Sequence, residues 1–278
     1  MDIELHSLKK NKSAKKQTIR IIHNLARSGG TLISKCLGSM NTVALLSEIH
    51  PNAQKAVSFN AVKQAQQWLD FDPTYPWQTN NFVTAIKAIE QHCSQQQQIL
   101  LLRDWSHVDY LGVPVTSKPD NQASLVNALK NDFHIQNIQL IRNPVDTWLS
   151  TRRLNLIKAA KISSTEFIQA YLNYLNNTSS DFQLLYENFL IDPDNTLKQA
   201  CCHLKIEYDS LYKNKWHKFK QLTGDLSNQS SHRSKPTIKP RARRSIENQE
   251  IKEIEALQNH PAFKKILELV PEFNCYTM

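Results

Sequence analysis

The sequence predicts an α/β fold: one domain on a central parallel sheet flanked by helices, with a helical C-terminal extension. Three observations predict it. Short runs rich in apolar and β-branched residues recur between positions 18 and 186, as strands buried on both faces of a parallel sheet require. Stretches of helical periodicity separate them, so strand and helix alternate. Beyond Ser245 only the helical period continues, which places further helices after the sheet is complete.

Residues 18–23 (TIRIIH) read as the first strand, followed by a Ser-Gly-Gly turn and a helix over 31–40. Residues 43–46, 99–102, 138–141 and 182–186 read as the remaining strands. Helical periodicity marks 124–133. In the helix predicted over 144–153, Asn143 can cap, Pro144 takes the first helical position and Asp146 complements the positive end of the dipole. Ser163 and Glu166 form a capping box opening a helix to about Asn177. Asp192-Pro193 starts a helix through Leu204, and 246–258 and 261–270 supply the C-terminal pair.

The chain has 278 residues, with 34 Lys+Arg against 25 Asp+Glu and a net charge of +9. Its 40% hydrophobic and 21% charged content excludes a disordered or collagen-like chain. The basic surplus points to an anionic partner or substrate, whether a phosphate- or sulfate-bearing small molecule or a nucleic acid. Lys9, Lys10, Lys12, Lys15 and Lys16 make residues 1–16 a basic tail ahead of a single domain over 17–278. Neither a secretory core nor a membrane-spanning run is present, so the expected location is cytoplasmic. The five cysteines lack C-x-x-C spacing, which suits reduced thiols and no metal centre. Residues 227–244 are polar, basic and free of acids, a basic loop or linker.

Two stretches carry the candidate chemistry. Ala26-Arg27-Ser28-Gly29-Gly30-Thr31-Leu32 follows the first strand and opens a helix, where glycines and unpaired amides can curl around an anion. The stretch lacks the Lys and spacing of the G-x-x-x-x-G-K-[ST] loop. Arg142 sits where a strand ends, the edge at which open α/β sheets bind ligands. Ser150 lies on the next helix about two turns on, so the two could clamp one phosphate. An Arg142–Asp146 pair with a solvent-facing Ser150 is the plainer reading.

Together with Y-E-N-F-L-I-D-P-D-N-T-L-K-Q-A-C at 186–201, A-R-S-G-G-T-L-I and I-R-N-P-V-D-T-W-L-S resemble the sulfotransferases that use 3′-phosphoadenosine 5′-phosphosulfate (PAPS) and release 3′-phosphoadenosine 5′-phosphate (PAP). The resemblance spans roughly residues 18–205 and implies a P-loop-like domain. It implies that Arg27, Ser28, Gly29, Gly30, Thr31 and Leu32 hold the 5′-phosphosulfate, with Arg27 supporting the leaving charge. It also places Arg142 and Ser150 on the 3′-phosphate, Tyr186 near the adenine and Arg233 in a loop returning over the 3′-phosphate. No metal is required by this analogy. Gly30 departs from the pattern, standing where Thr or Ser is common.

An acceptor hydroxyl or amine needs a general base. Glu48, after the second predicted strand, resembles the Glu of tyrosylprotein sulfotransferases and is the first candidate; His50, Asp104 and His107 are rivals. The acceptor itself, a small molecule, glycan or peptide, is not encoded in any motif. Two other functions stand beside this one. A P-loop-type kinase for a small metabolite is disfavoured by the missing Lys, and a non-catalytic anion- or nucleic-acid-binding protein lacks any specific nucleic-acid motif.

Overall fold

The computed structural model describes residues 16–276, apart from 79, 80, 117, 179, 181, 225–236 and 241–244. The basic tail over 1–15 and Arg233 therefore lie outside the described residues.

Along the chain come β1 (Thr18–Asn24), α1 (Gly30–Gly38), β2 (Val43–Ile49), α2 (Ala61–Trp68), α3 (Phe82–Gln95), β3 (Ile99–Asp104), α4 (Ser106–Leu111) and α5 (Ser124–Leu129). There follow β4 (His134–Ile141), α6 (Pro144–Thr151), α7 (Asn155–Ala160), α8 (Ser164–Asn177), β5 (Gln183–Leu185), α9 (Tyr186–Ile191) and α10 (Pro193–Leu204). The last helices are α11 (Tyr212–Lys215), α12 (Asn248–Gln258) and α13 (Pro261–Leu269).

The five strands are all parallel, in the order β2-β3-β1-β4-β5. Strand alternation sends residues to opposite faces, and the core divides accordingly. Ile19, Ile21, Leu100 and Leu102 pack with α2, α3 and α5. Ile22, Leu101, Ile138 and Leu140 pack with α1, α10 and Trp216 on the other face. A third apolar cluster joins α6, α8, α12 and α13 at the carboxyl ends of β1 and β4. The C-terminal helices thus extend the domain rather than form a second one.

Several boundaries differ from the sequence reading, and polar residues with tertiary partners explain most of the differences. The second strand runs past Leu46 to Ile49, taking in Ser47 and Glu48, with a register shift between Leu46 and Ile49. The third continues through Arg103 and Asp104, and the fourth begins at His134. Tyr186 opens α9 instead of closing the fifth strand, and α5 stops at Leu129. The first helix opens one residue earlier, at Gly30.

The chain runs from β1 outward to β2, back to β3, then across to β4. The crevice between the carboxyl ends of β1 and β4 is therefore the topological switch point, where ligands of open α/β sheets bind.

Candidate active site

The turn after β1 is shaped for close backbone approach. Gly29 has φ 96 and ψ 1 and acts as the N-cap residue of α1, and Arg27 also has a positive φ of 68. A Cβ on Gly29 would lie 2.2 Å from the Tyr186 ring, so glycine lets that ring lie directly on the loop. At Gly30 a Cβ would come within 2.4 Å of the Asn24 side chain. Asn24 thus occupies the room that a Thr or Ser would need, which accounts for this departure from the pattern. Among the described residues the amides of Gly29, Gly30 and Thr31 have no acceptor. Three such donors at the positive end of a helix suit an anion.

Residues from distant segments meet on this loop. Arg27 Nε donates to Ser150 Oγ at 2.9 Å, which leaves both Nη groups without an acceptor among the described residues. Arg142 Nη1 donates to the Arg27 carbonyl at 2.8 Å, and its guanidinium lies 5.2 Å from the centre of the Tyr186 ring. Asn143 caps α6 by accepting from the amides of Val145 and Asp146. Its own amide donates to Glu187, fixing the strand end to α9. Burial pushes the Glu187 carboxyl above its ordinary range, while its hydrogen bonds with Asn143 and the charge of Arg142 oppose that shift. Arg27, Arg142, Ser150 and Tyr186 are therefore one cluster at the β1/β4 crevice. Ser28 and Leu32 stand apart from it: the Ser28 hydroxyl donates to the Leu25 carbonyl at 2.8 Å, closing the turn, and Leu32 packs against the core.

A second, charged cluster crowns β1, β3 and β2. Arg103, buried at the end of β3, donates from Nε to Asn24 Oδ1 at 3.1 Å and reaches Glu48 Oε1 from Nη2 at 3.5 Å. Asn24 abuts Gly30, so the two clusters are contiguous. Glu48 lies inside β2 with φ 55, not in a loop. Residues 219–224 cross this end of the sheet: Thr223 is hydrogen-bonded to Ser47, and its carbonyl accepts from Arg103.

The rival bases have different surroundings. Both ring nitrogens of His50 are committed, Nε2 to Asp109 at 2.9 Å and Nδ1 to the Asn52 amide at 3.2 Å. Asp104 is held by His23 at 2.8 Å and Ser106 at 2.7 Å. Burial alone would raise the Asp104 carboxyl, but the hydrogen bond and charge of His23, helped by His50 and Ser106, hold it below its ordinary value. His107 is buried, and its imidazole makes no side-chain hydrogen bond among the described residues. Desolvation lowers it to about 4 despite the opposing charge of Glu48, so it is neutral at physiological pH. Glu48, ion-paired with Arg103, the neutral His107, and Asp104 through an Oδ1 that has no hydrogen-bond partner are the candidates left with capacity to take a proton.

No protein-family model and no curated protein matches this chain by sequence. Among solved structures, the sulfotransferase domain of the Synechococcus PCC 7002 olefin synthase superposes with a TM-score of 0.53 at 17% identity, over 89% of this chain and 97% of that domain. The fold is that of a sulfotransferase. The sulfotransferase domain from the curacin biosynthetic pathway gives 0.48 at 17% identity, over 93% of this chain and 99% of that one. The sulfotransferase STF9 of Mycobacterium avium gives 0.49 at 14%, over 92% and 77%. Within this sulfotransferase fold, sequence reasoning missed the parts played by Asn24, Ser47, Arg103 and Thr223. No motif marks them; the sheet order and the crossing segment 219–224 bring these four residues together.

Proposed function

We propose that this chain transfers a sulfuryl group from PAPS to a hydroxyl or amine acceptor. One observation carries the reading. Arg27, Arg142, Ser150 and Tyr186, drawn from three separate segments, converge on a glycine turn with unpaired amides at the switch point of a sulfotransferase fold. The turn suits a phosphate-rich donor, because the amides of Gly29, Gly30 and Thr31 have no acceptor among the described residues and the Arg27 Nη groups stand beside them.

PAPS brings the activated sulfuryl group and departs as PAP. Arg27 and the amides of Gly29, Gly30 and Thr31 bind the phosphosulfate. Transfer of this kind needs alignment and electrostatic support rather than covalent help, which preoriented donors supply without reorganisation. Arg142 and the Ser150 hydroxyl, whose proton is not used by Arg27, bind the 3′-phosphate, and Tyr186 borders the adenine. Glu48 takes the acceptor proton, with Arg103 fixing its direction. Among the described residues there is no His/Cys/Asp/Glu cluster that would hold a metal ion.

A thermal-shift comparison of PAP, ATP with Mg²⁺ and no ligand tests the donor. At a hundred times its dissociation constant PAP should add about 2.7 kcal/mol, a rise of several degrees. The Arg142→Ala variant should lose most of that rise while keeping its own melting temperature. Stabilisation by ATP with Mg²⁺ and not by PAP would favour the kinase reading instead.

A further inference from the structure

A cleft of about 470 Å³, walled on one side by residues that follow β2, is used by no step above. Half-buried Trp77 and Phe82 line it together with exposed Asn52, Lys55 and Gln78, and Lys63 Nζ lies 5.1 Å from the centre of the Trp77 ring. The side chains of Asn52, Lys55 and Gln78 have no hydrogen-bond or ion-pair partner among the described residues. No carboxylate lines the cleft.

The cleft is tied to the proposed base. Its first wall, residues 51–55, continues directly from β2, which carries Glu48. Gln54 Nε2 donates to the His50 carbonyl at 2.7 Å, and the Asn52 amide donates to His50 Nδ1. Ala53 belongs to one apolar cluster with Phe59 and Trp105, and Trp105 meets His107 edge-on at 5.4 Å. The wall formed by residues 51–55 thus leaves the sheet at the end that carries Glu48.

We propose, building on the sulfotransferase reading, that this cleft is the acceptor subsite and that it takes an acidic oligosaccharide. The C–H faces of a pyranose ring lie against aromatic rings, and its hydroxyl and acetamido groups need neutral groups that both donate and accept. Side-chain amides such as Asn52 and Gln78 do both. Lys55, an unpaired cation, matches a uronate carboxylate or an existing sulfate. The absence of carboxylates disfavours a cationic acceptor, and the polar lining disfavours a purely apolar phenol. A chain-wide charge of +9 adds long-range attraction for such a polyanion.

The test uses the full chain, saturated with PAP, titrated by calorimetry with a hyaluronan tetrasaccharide, an acidic tyrosine peptide and single-stranded DNA. The tetrasaccharide should bind. The double variant Asn52→Ala, Lys55→Gln, which alters two exposed side chains, should weaken it roughly tenfold or more. Affinity for PAP should stay as in the parent chain. Failure of the tetrasaccharide to bind, binding that ignores the double variant, or preference for the peptide or DNA would each overturn the subsite. Failure of PAP to bind would instead overturn the donor reading, and the same titration without PAP would still report on the cleft.

Discussion

Glu48 and His107 sit in one cluster, and their substitution separates catalysis from stability. Removing the base should cost the general-base contribution, typically 10²- to 10⁴-fold. Glu48→Gln is therefore expected to lower kcat by about that range while leaving the calorimetric affinity for PAP unchanged. An active Glu48→Gln enzyme would pass the role to His107 or Asp104. His107 also carries a pH signature. Its folded-state value of about 4 lies below the ordinary histidine value of about 6.5. Between those values the unfolded chain binds the proton and the folded chain does not, so stability falls as pH falls through this window. The loss approaches roughly 3 kcal/mol by pH 4. Urea titrations at pH 7.5 and 5 should show a smaller pH effect in His107→Gln than in the parent chain.

The candidate site is built from the ends of elements, and the turn between β1 and α1 is the most constrained of these. Gly29→Ala places a side chain at φ 96 and drives it into the Tyr186 ring. The expected cost is at least about 1 kcal/mol of stability. Loss of PAP binding should accompany it, measurable by the same thermal shift. The elements themselves were legible to different degrees. Ser163 and Glu166 do form the capping box, and Asn143 does cap α6, because both devices are local. Apolar runs located all five strands. Strand ends were not legible where charge is buried: Arg103 and Glu48 look like loop residues until each is seen to face the other. Tyr186 looks like a strand residue because aromatic rings favour strands, yet its ring serves the glycine turn from the first turn of α9. Arg27, Arg142 and Ser150 could be named from motif spacing, but their mutual contacts depend on the order of β1 and β4. Helices α2 and α3, which carry much of the far-side core, are announced only by the single cap residues Asn60 and Asn81, which lack the Glu or Pro that marks a longer signal.

At the scale of the whole molecule, the C-terminal extension is held by one forked ion pair as well as by its apolar face. Arg152, at the end of α6, grips Glu253 at 2.6 Å and Glu250 at 2.9 Å, and the Glu250 side chain is fully buried. Removing the guanidinium takes away the nearer of two cations, since Arg153 also stands 3.7 Å from Glu250. Arg152→Ala should therefore lower stability by about 2 kcal/mol, the worth of its charge-assisted hydrogen bonds, seen as a lower urea midpoint at unchanged slope. The strand order has a consequence of another kind, in time rather than in space. Central β1 pairs with β3 on one side and β4 on the other, with Thr18 opposite His134. A ribosome adding 5–20 residues per second needs roughly ten seconds between those two positions. Throughout that interval β1, with Ile19, Ile21 and Ile22, has an open edge. Its first partners in the cell are therefore whatever shields a nascent chain, and a chain stalled before β4 should be recovered in aggregates.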